Sequence, residues 1–298
     1  MRIQLFAYNG RAQELKLSAH TGELNLEFMR DITDRGRILL AVALLVSSTL
    51  VTAAESNGKP DYAREQRLAE QTVDAILDGD AQMLTTGGRE FLSIYTEAET
   101  EIVSGTVILM HGRGMHPDWE YVINPLRVGL ISFGWNTLSI QMPVLEKAAK
   151  YYDYVPLFEE AQERIERAIV VAKQRGAKRV VLLAHSCSVH MSMHFVRNSG
   201  ASAFDAYVGI GMGATDYRQP MHQPLPLAQL QMPVLDVFGA TDFPAVLRLA
   251  PQRKQAAQHR LSQQLVIDGA DHYFKESADE LLAAVAAWLD TIVEGDKP

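Results

Sequence analysis

The chain has 298 residues, and its 28 basic and 36 acidic side chains give a net charge of −8 with no cluster of Lys and Arg, a balance that argues against a nucleic-acid partner. At 47% hydrophobic and 21% charged residues, the composition is that of a globular protein and excludes a fibrous or wholly disordered chain. Cys187 is the only cysteine, so no intrachain disulfide supports the fold.

In chain order, Arg35 and Arg37 precede an uncharged apolar run over residues 38–51, and Thr52-Ala53-Ala54 follows. A basic region, an apolar run and a small-residue site read as a cleavable secretory signal. The run is too short for a comfortable membrane span, so no stable span is expected after cleavage. Met29 would be a normal start for such a signal, with residues 1–28 as an upstream extension. Residues 1–54 are therefore set apart, and residues 55–298 are expected to form one exported, periplasmic domain.

After a linker at 56–59, residues 60–77 read as a helix ended by Asp78-Gly79-Asp80. Residues 83–85 and 91–95 flank Gly87-Gly88 and suggest an antiparallel hairpin. The buried strand 105–110 runs into His111-Gly112-Arg113-Gly114. Residues 119–133 read as a helix with an internal Pro125, 136–140 as a strand, and 141–155 as a loop carrying Tyr151, Tyr152 and Tyr154. Phe158, Ala161, Ile165, Ile169 and Ala172 recur at helical spacing until Gly176. A strand at 180–183 leads to Ala184-His185-Ser186-Cys187-Ser188, and a helix follows over 189–197. Strands at 207–210, 234–238 and 265–267 come next, with an aperiodic segment at 211–231 and a helix at 244–260 between them. Ser277 and Glu280 have capping-box spacing and open a last helix whose apolar face is Leu281, Val285, Trp288 and Ile292. Strands alternating with crossover helices call for a mostly parallel sheet covered on both faces.

A strand that turns sharply into a helix with serine at the apex is a nucleophile elbow, usually spelled G-x-S-x-G. Here Ala184 and Ser188 stand where the glycines would be. His272, in Asp268-Gly-Ala-Asp-His272, lies just past the last strand, and Asp242, in Gly239-Ala-Thr-Asp242, follows the strand before it. Loops at the carboxyl ends of parallel strands are where such sheets gather reacting groups. Asp236 is a rival for the acidic role, but it sits within its strand, where alternation favours a buried structural group. His190 and His194 share a helix face, yet no H-E-x-x-H glutamate or third ligand accompanies them, so packing is the better reading than zinc. Cys187, one residue past the apex, reads as a small buried residue. The Arg113 side chain is left between binding an anionic substrate group and lying in solvent, and the three tyrosines between lining a site and packing.

From about residue 91 to 292 the chain resembles the α/β-hydrolase superfamily, and in particular its exported bacterial members of unknown function. The resemblance rests on His111-Gly112, residues 184–188, Gly239 to Asp242 and Gly269-Ala-Asp-His272, in that order. It implies an α/β-hydrolase fold, a mostly parallel central sheet with helices on both faces, to which the N-terminal antiparallel hairpin is added. It also implies a serine hydrolase of ester-like acyl substrates, with Ser186 as nucleophile, His272 as base and Asp242 orienting the base. The backbone N–H groups of Arg113 and Cys187 would then form the oxyanion hole. Neither metal nor cofactor is called for, and the partner expected is a small-molecule acyl substrate. The segment 211–231 is expected to act as a cap. The departures at 184 and 188 keep open a second reading, a catalytically weak or inactive relative that binds a ligand or envelope partner at the same place.

Overall fold

The computed structural model describes residues 58–295, and the expected signal and its upstream extension lie outside them. Seven α-helices are described: α1 (Tyr62–Ala75), α2 (Ile123–Gly129), α3 (Tyr151–Tyr154), α4 (Phe158–Gln174), α5 (Cys187–Ser199), α6 (Pro244–Ala256) and α7 (Ala278–Glu294). The eight strands are β1 (Asp80–Thr86), β2 (Arg89–Thr96), β3 (Gly105–Met110), β4 (Trp135–Ile140), β5 (Val180–His185), β6 (Ala206–Ile210), β7 (Val234–Gly239) and β8 (Gln263–Ile267). They form one sheet in the order β1-β2-β4-β3-β5-β6-β7-β8. The β1–β2 hairpin is antiparallel and joins β4 antiparallel, while every other pairing is parallel. This is the expected α/β-hydrolase architecture.

Central strands are apolar on both sides because both faces are covered. In β3, Ile108 and Met110 join the core under α4 and α5, with Leu182 and Ile165. Val107 and Leu109 point the other way, into the core under α2 and α7 with Trp135, Val208 and Trp288. The predicted face of the last helix, Leu281, Val285, Trp288 and Ile292, is buried there. Among the described residues no helix is long and apolar enough to cross a membrane.

Four expectations are corrected. The helix read over 119–133 begins only at Ile123 and tightens into a 3₁₀ turn at Leu130–Phe133. Pro125 has no N–H to give and fits a first helical turn, where that donor would be unpaired anyway. The loop read over 141–155 contains α3 and runs into the 3₁₀ turn Val155–Leu157. The helix read over 244–260 stops at Ala256, where Ala257 leaves helical geometry. Ser277 does cap α7 by position, but its side chain makes no cap bond. Its N–H is drawn into a tight turn onto the Phe274 carbonyl, and its ψ of 29° is not the extended geometry that brings a hydroxyl over the first turn.

Candidate active site

Four loops at the carboxyl ends of β3, β5, β7 and β8 meet at Ser186. The serine follows β5 directly and holds φ 60°, ψ −115°, a conformation costing about 1–3 kcal/mol for a residue with a side chain. Its peptide is held from both sides: the Ser186 N–H donates to the Ile210 carbonyl on β6 at 2.9 Å, and the Val189 N–H donates to the Ser186 carbonyl at 3.1 Å. The side chain is left half-exposed at the start of α5.

Its hydroxyl lies 2.8 Å from His272 Nε2, and His272 Nδ1 lies 2.7 Å from Asp242 Oδ1. The carboxylate fixes the proton on Nδ1, which leaves Nε2 to accept from the serine. Asp242 Oδ1 also accepts the Phe243 N–H at 2.6 Å, and the Phe243 ring stacks on the imidazole with centroids 4.0 Å apart. Such a chain can draw a proton from a hydroxyl as its oxygen attacks. Asp236 is elsewhere engaged. It is buried between Arg253 on α6, at 2.8 Å, and Gln264 on β8, at 2.7 Å.

The other two expected residues lie beside the serine. Gly112 packs against it so closely that a Cβ there would stand 3.3 Å from the Ser186 Cβ and 3.0 Å from His185 Nδ1. The backbone N–H groups of Arg113 and Cys187 make no hydrogen bond among the described residues. For Cys187 this is the usual state of the first donor of a helix. Its thiol is buried, which pushes its pKa up to about 12 and makes it a poor nucleophile. The Arg113 guanidinium is neither loose in solvent nor on an empty anion site: it pairs with Asp216 through two nitrogens, at 2.8 and 3.2 Å.

Ser188 does not merely tolerate the elbow. Its hydroxyl accepts the His185 N–H at 3.0 Å and donates to the Met110 carbonyl on β3 at 2.7 Å, with the His185 carbonyl also in reach at 2.9 Å. His190 and His194 part company. His190 donates from Nε2 to the Ala214 carbonyl at 2.9 Å, whereas His194 meets Glu159 at 3.0 Å. Tyr151 and Tyr154 are buried and Tyr152 is exposed.

Several contributors escape a reading of the sequence. His185 is fully buried, donates from Nε2 to the His272 carbonyl at 3.1 Å and stacks under Trp119 at 5.6 Å. His111 accepts the Met142 N–H at 2.9 Å on Nε2, so its Nδ1 carries the proton given to the Gly112 carbonyl at 2.8 Å. Burial lowers both imidazoles to about 3, which keeps them neutral. Gly211, with φ +63°, lies against His272, and a Cβ there would come within 2.7 Å of its Cε1. Arg64 on α1 reaches the carbonyls of Gly114 and Leu145 and ties the turn after β3 to the N-terminal helix. His185 and Gly211 had a local signal, one inside the elbow and one directly after a strand. Arg64 and Asp216 had none, because their partners lie far along the chain.

An open cavity of about 860 Å³ lies elsewhere, between α1 and the β1–β2 hairpin, lined by Tyr62, Val73, Met83 and Phe91 among others. None of Ser186, Asp242 and His272 lines it. The hydrogen-bonded chain of Ser186, His272 and Asp242 lies apart from this cavity.

The sheet order and the strained serine with its two partners define a protein of the α/β-hydrolase fold. Solved structures agree: Est1E from Butyrivibrio proteoclasticus (13% identity, TM-score 0.58, 73% of this chain and 100% of that one) and an α/β serine hydrolase homologue from Coxiella burnetii (15%, 0.55, 71% and 98%). A serine hydrolase without a lid from Xanthomonas campestris is similar at 14% identity, TM-score 0.54, over 73% and 96%. Within that class, the chain belongs to the family described as Protein of unknown function (DUF3530), whose model matches residues 37–156 and 153–291. No curated protein matches it in sequence.

Proposed function

We propose that the protein is a serine hydrolase of ester-like acyl substrates. The observation that carries this reading is the unbroken chain Ser186 Oγ–His272 Nε2 (2.8 Å), His272 Nδ1–Asp242 Oδ1 (2.7 Å), set at a strained apex. Ser186 attacks the acyl carbon while His272 takes its proton, and Asp242 stabilises the imidazolium that forms. The unpaired N–H groups of Arg113 and Cys187 receive the oxyanion, a contribution of about 10²–10³ in rate per donor in such sites. His272 then returns the proton to the leaving alcohol, and water repeats the sequence on the acyl-enzyme. The residues suffice for this chemistry without metal or cofactor. Residues 211–231 take the role of a cap at the carboxyl end of the sheet. The basic, apolar and small-residue pattern at 35–54 supports export and release into the periplasm near Glu55, which N-terminal sequencing of the secreted chain checks.

The test is an active-site label. A fluorophosphonate is expected to attach to Ser186, and Ser186→Ala to abolish labelling while barely moving the melting temperature. Labelling at Cys187, or activity lost on Cys187→Ala but kept on Ser186→Ala, would overturn the serine mechanism.

A further inference from the structure

Arg113 offers two groups at opposite ends. Its peptide belongs to the turn packed on Ser186, while its guanidinium reaches into residues 211–231 and grips Asp216. The side chains of the pair remain 34% and 18% exposed. The residue before Arg113, Gly112, lies against Ser186, and Gly211, five residues before Asp216, lies against His272. A cation and an anion thus stand together beside the reacting groups.

A guanidinium alone in that position would favour an acyl group ending in a carboxylate, since its planar fork matches that ion with two bonds. Asp216 already fills the fork and is anchored independently, accepting the Tyr151 N–H at 2.6 Å. A carboxylate substrate would have to displace it, trading one bidentate pair for another and leaving two like charges side by side. Other nearby cations do not offer a replacement: Lys150, next to Tyr151, is exposed and screened by solvent. Arg64 is directed at the carbonyls of Gly114 and Leu145. Lys275 is an exposed ammonium held over the rings of Tyr121 and Tyr273, at 5.7 and 5.9 Å, and is screened by solvent.

We infer that Asp216 is a specificity-determining residue: by neutralising Arg113 it reserves the site for esters of uncharged acyl groups. The inference rests on the ester-hydrolase reading and adds to it the charge class of the acyl group.

The experiment compares kcat/KM for the para-nitrophenyl monoesters of glutaric and pentanoic acid, which differ in a terminal carboxylate, and reads their ratio on each variant. The wild type is expected to favour the pentanoate. Asp216→Asn should raise the glutarate-to-pentanoate ratio about tenfold, and Arg113→Gln should lower it about tenfold. The double variant, which has neither charge, should return to within about threefold of the wild type. Should Asp216→Asn fail to fold, as judged by circular dichroism, the sign of the Arg113→Gln effect decides. Single variants that leave the ratio within about twofold of wild type, or move it in the same direction, overturn the inference alone. A wild type that neither labels nor turns over either ester overturns the hydrolase reading and the inference with it.

Discussion

On one side of Ser186, the turn after β3 and the elbow after β5 are held by groups close in sequence or adjacent in the sheet. Ser188 closes onto Met110 and His185, His111 onto Gly112 and Met142, and the Ser186 N–H onto β6. On the other side, residues 211–231 have one 3₁₀ turn and are held by side chains reaching from distant elements. Asp216 meets Arg113 and Tyr151, His190 meets the Ala214 carbonyl, and the Tyr151 hydroxyl accepts the His222 N–H at 2.9 Å. Ser186 thus stands on a backbone that regular elements over-determine, while residues 211–231 are anchored by a few buried apolar side chains, Met212, Leu227 and Leu230 among them, and by individual polar pairs. Damage to the first should remove chemistry; damage to the second should change selectivity.

The sharpest break of that contrast is Asp242→Asn, expected to cut ester turnover by about 10⁴ where the imidazole tautomer is lost, with the melting temperature nearly kept. Its counterpart, Asp236→Asn, should leave the label on Ser186 and instead cost about 3 kcal/mol in denaturant unfolding, because Arg253 loses its buried partner. The reverse pattern would move the acidic role into β7. Gly211→Ala should slow labelling by about a hundredfold, since the added methyl displaces the His272 ring by more than the near-attack geometry allows.

Acid reaches both walls at once. His111 and His185 are lowered to about 3 and His190 to about 4, all by burial, against 6.5 for the free side chain. Above pH 6.5 neither the folded nor the unfolded chain protonates them, and their contribution is complete. Below it the unfolded chain takes up protons that the folded chain refuses until about pH 4 to 3, so stability falls through that window. Three such groups give a slope of at most about 4 kcal/mol per pH unit. Urea midpoints measured from pH 7 to 4 should drop steeply, and a flat profile would mean that these rings are hydrated. The smallest effect should come from Tyr151→Phe, about 1 kcal/mol, with a shift in substrate preference among esters of graded acyl length.

The same contrast explains what the sequence made legible. Strands β3 and β5 were readable because burial on both faces demands unbroken apolar runs; β7 carries Asp236 inside its run and β8 is only partly buried, yet Ser186, Asp242 and His272 each follow a strand, in that order. That Asp242 and not Asp236 meets His272 was readable from position, one in the loop past β7 and the other inside the strand. Ion pairs such as Arg113–Asp216 were not, being written in two single letters 103 positions apart. Nor was the late start of α2, since Trp119 has helical spacing but is recruited to cover His185. The role of Ser188 was legible only as a departure from a pattern.

That departure changes what the pattern means. Glycine two positions past a nucleophile is commonly understood as the absence of a side chain where strand and helix cross. Ser188 occupies the same crossing with no exposed surface, folding its oxygen back onto the main chain of β3 and β5. The constraint at that position is on where the side chain ends, not on whether there is one. A search spelled only in glycines would pass over elbows of this kind, and replacing Ser188 with glycine here should loosen the turn, at a cost of about 1–2 kcal/mol.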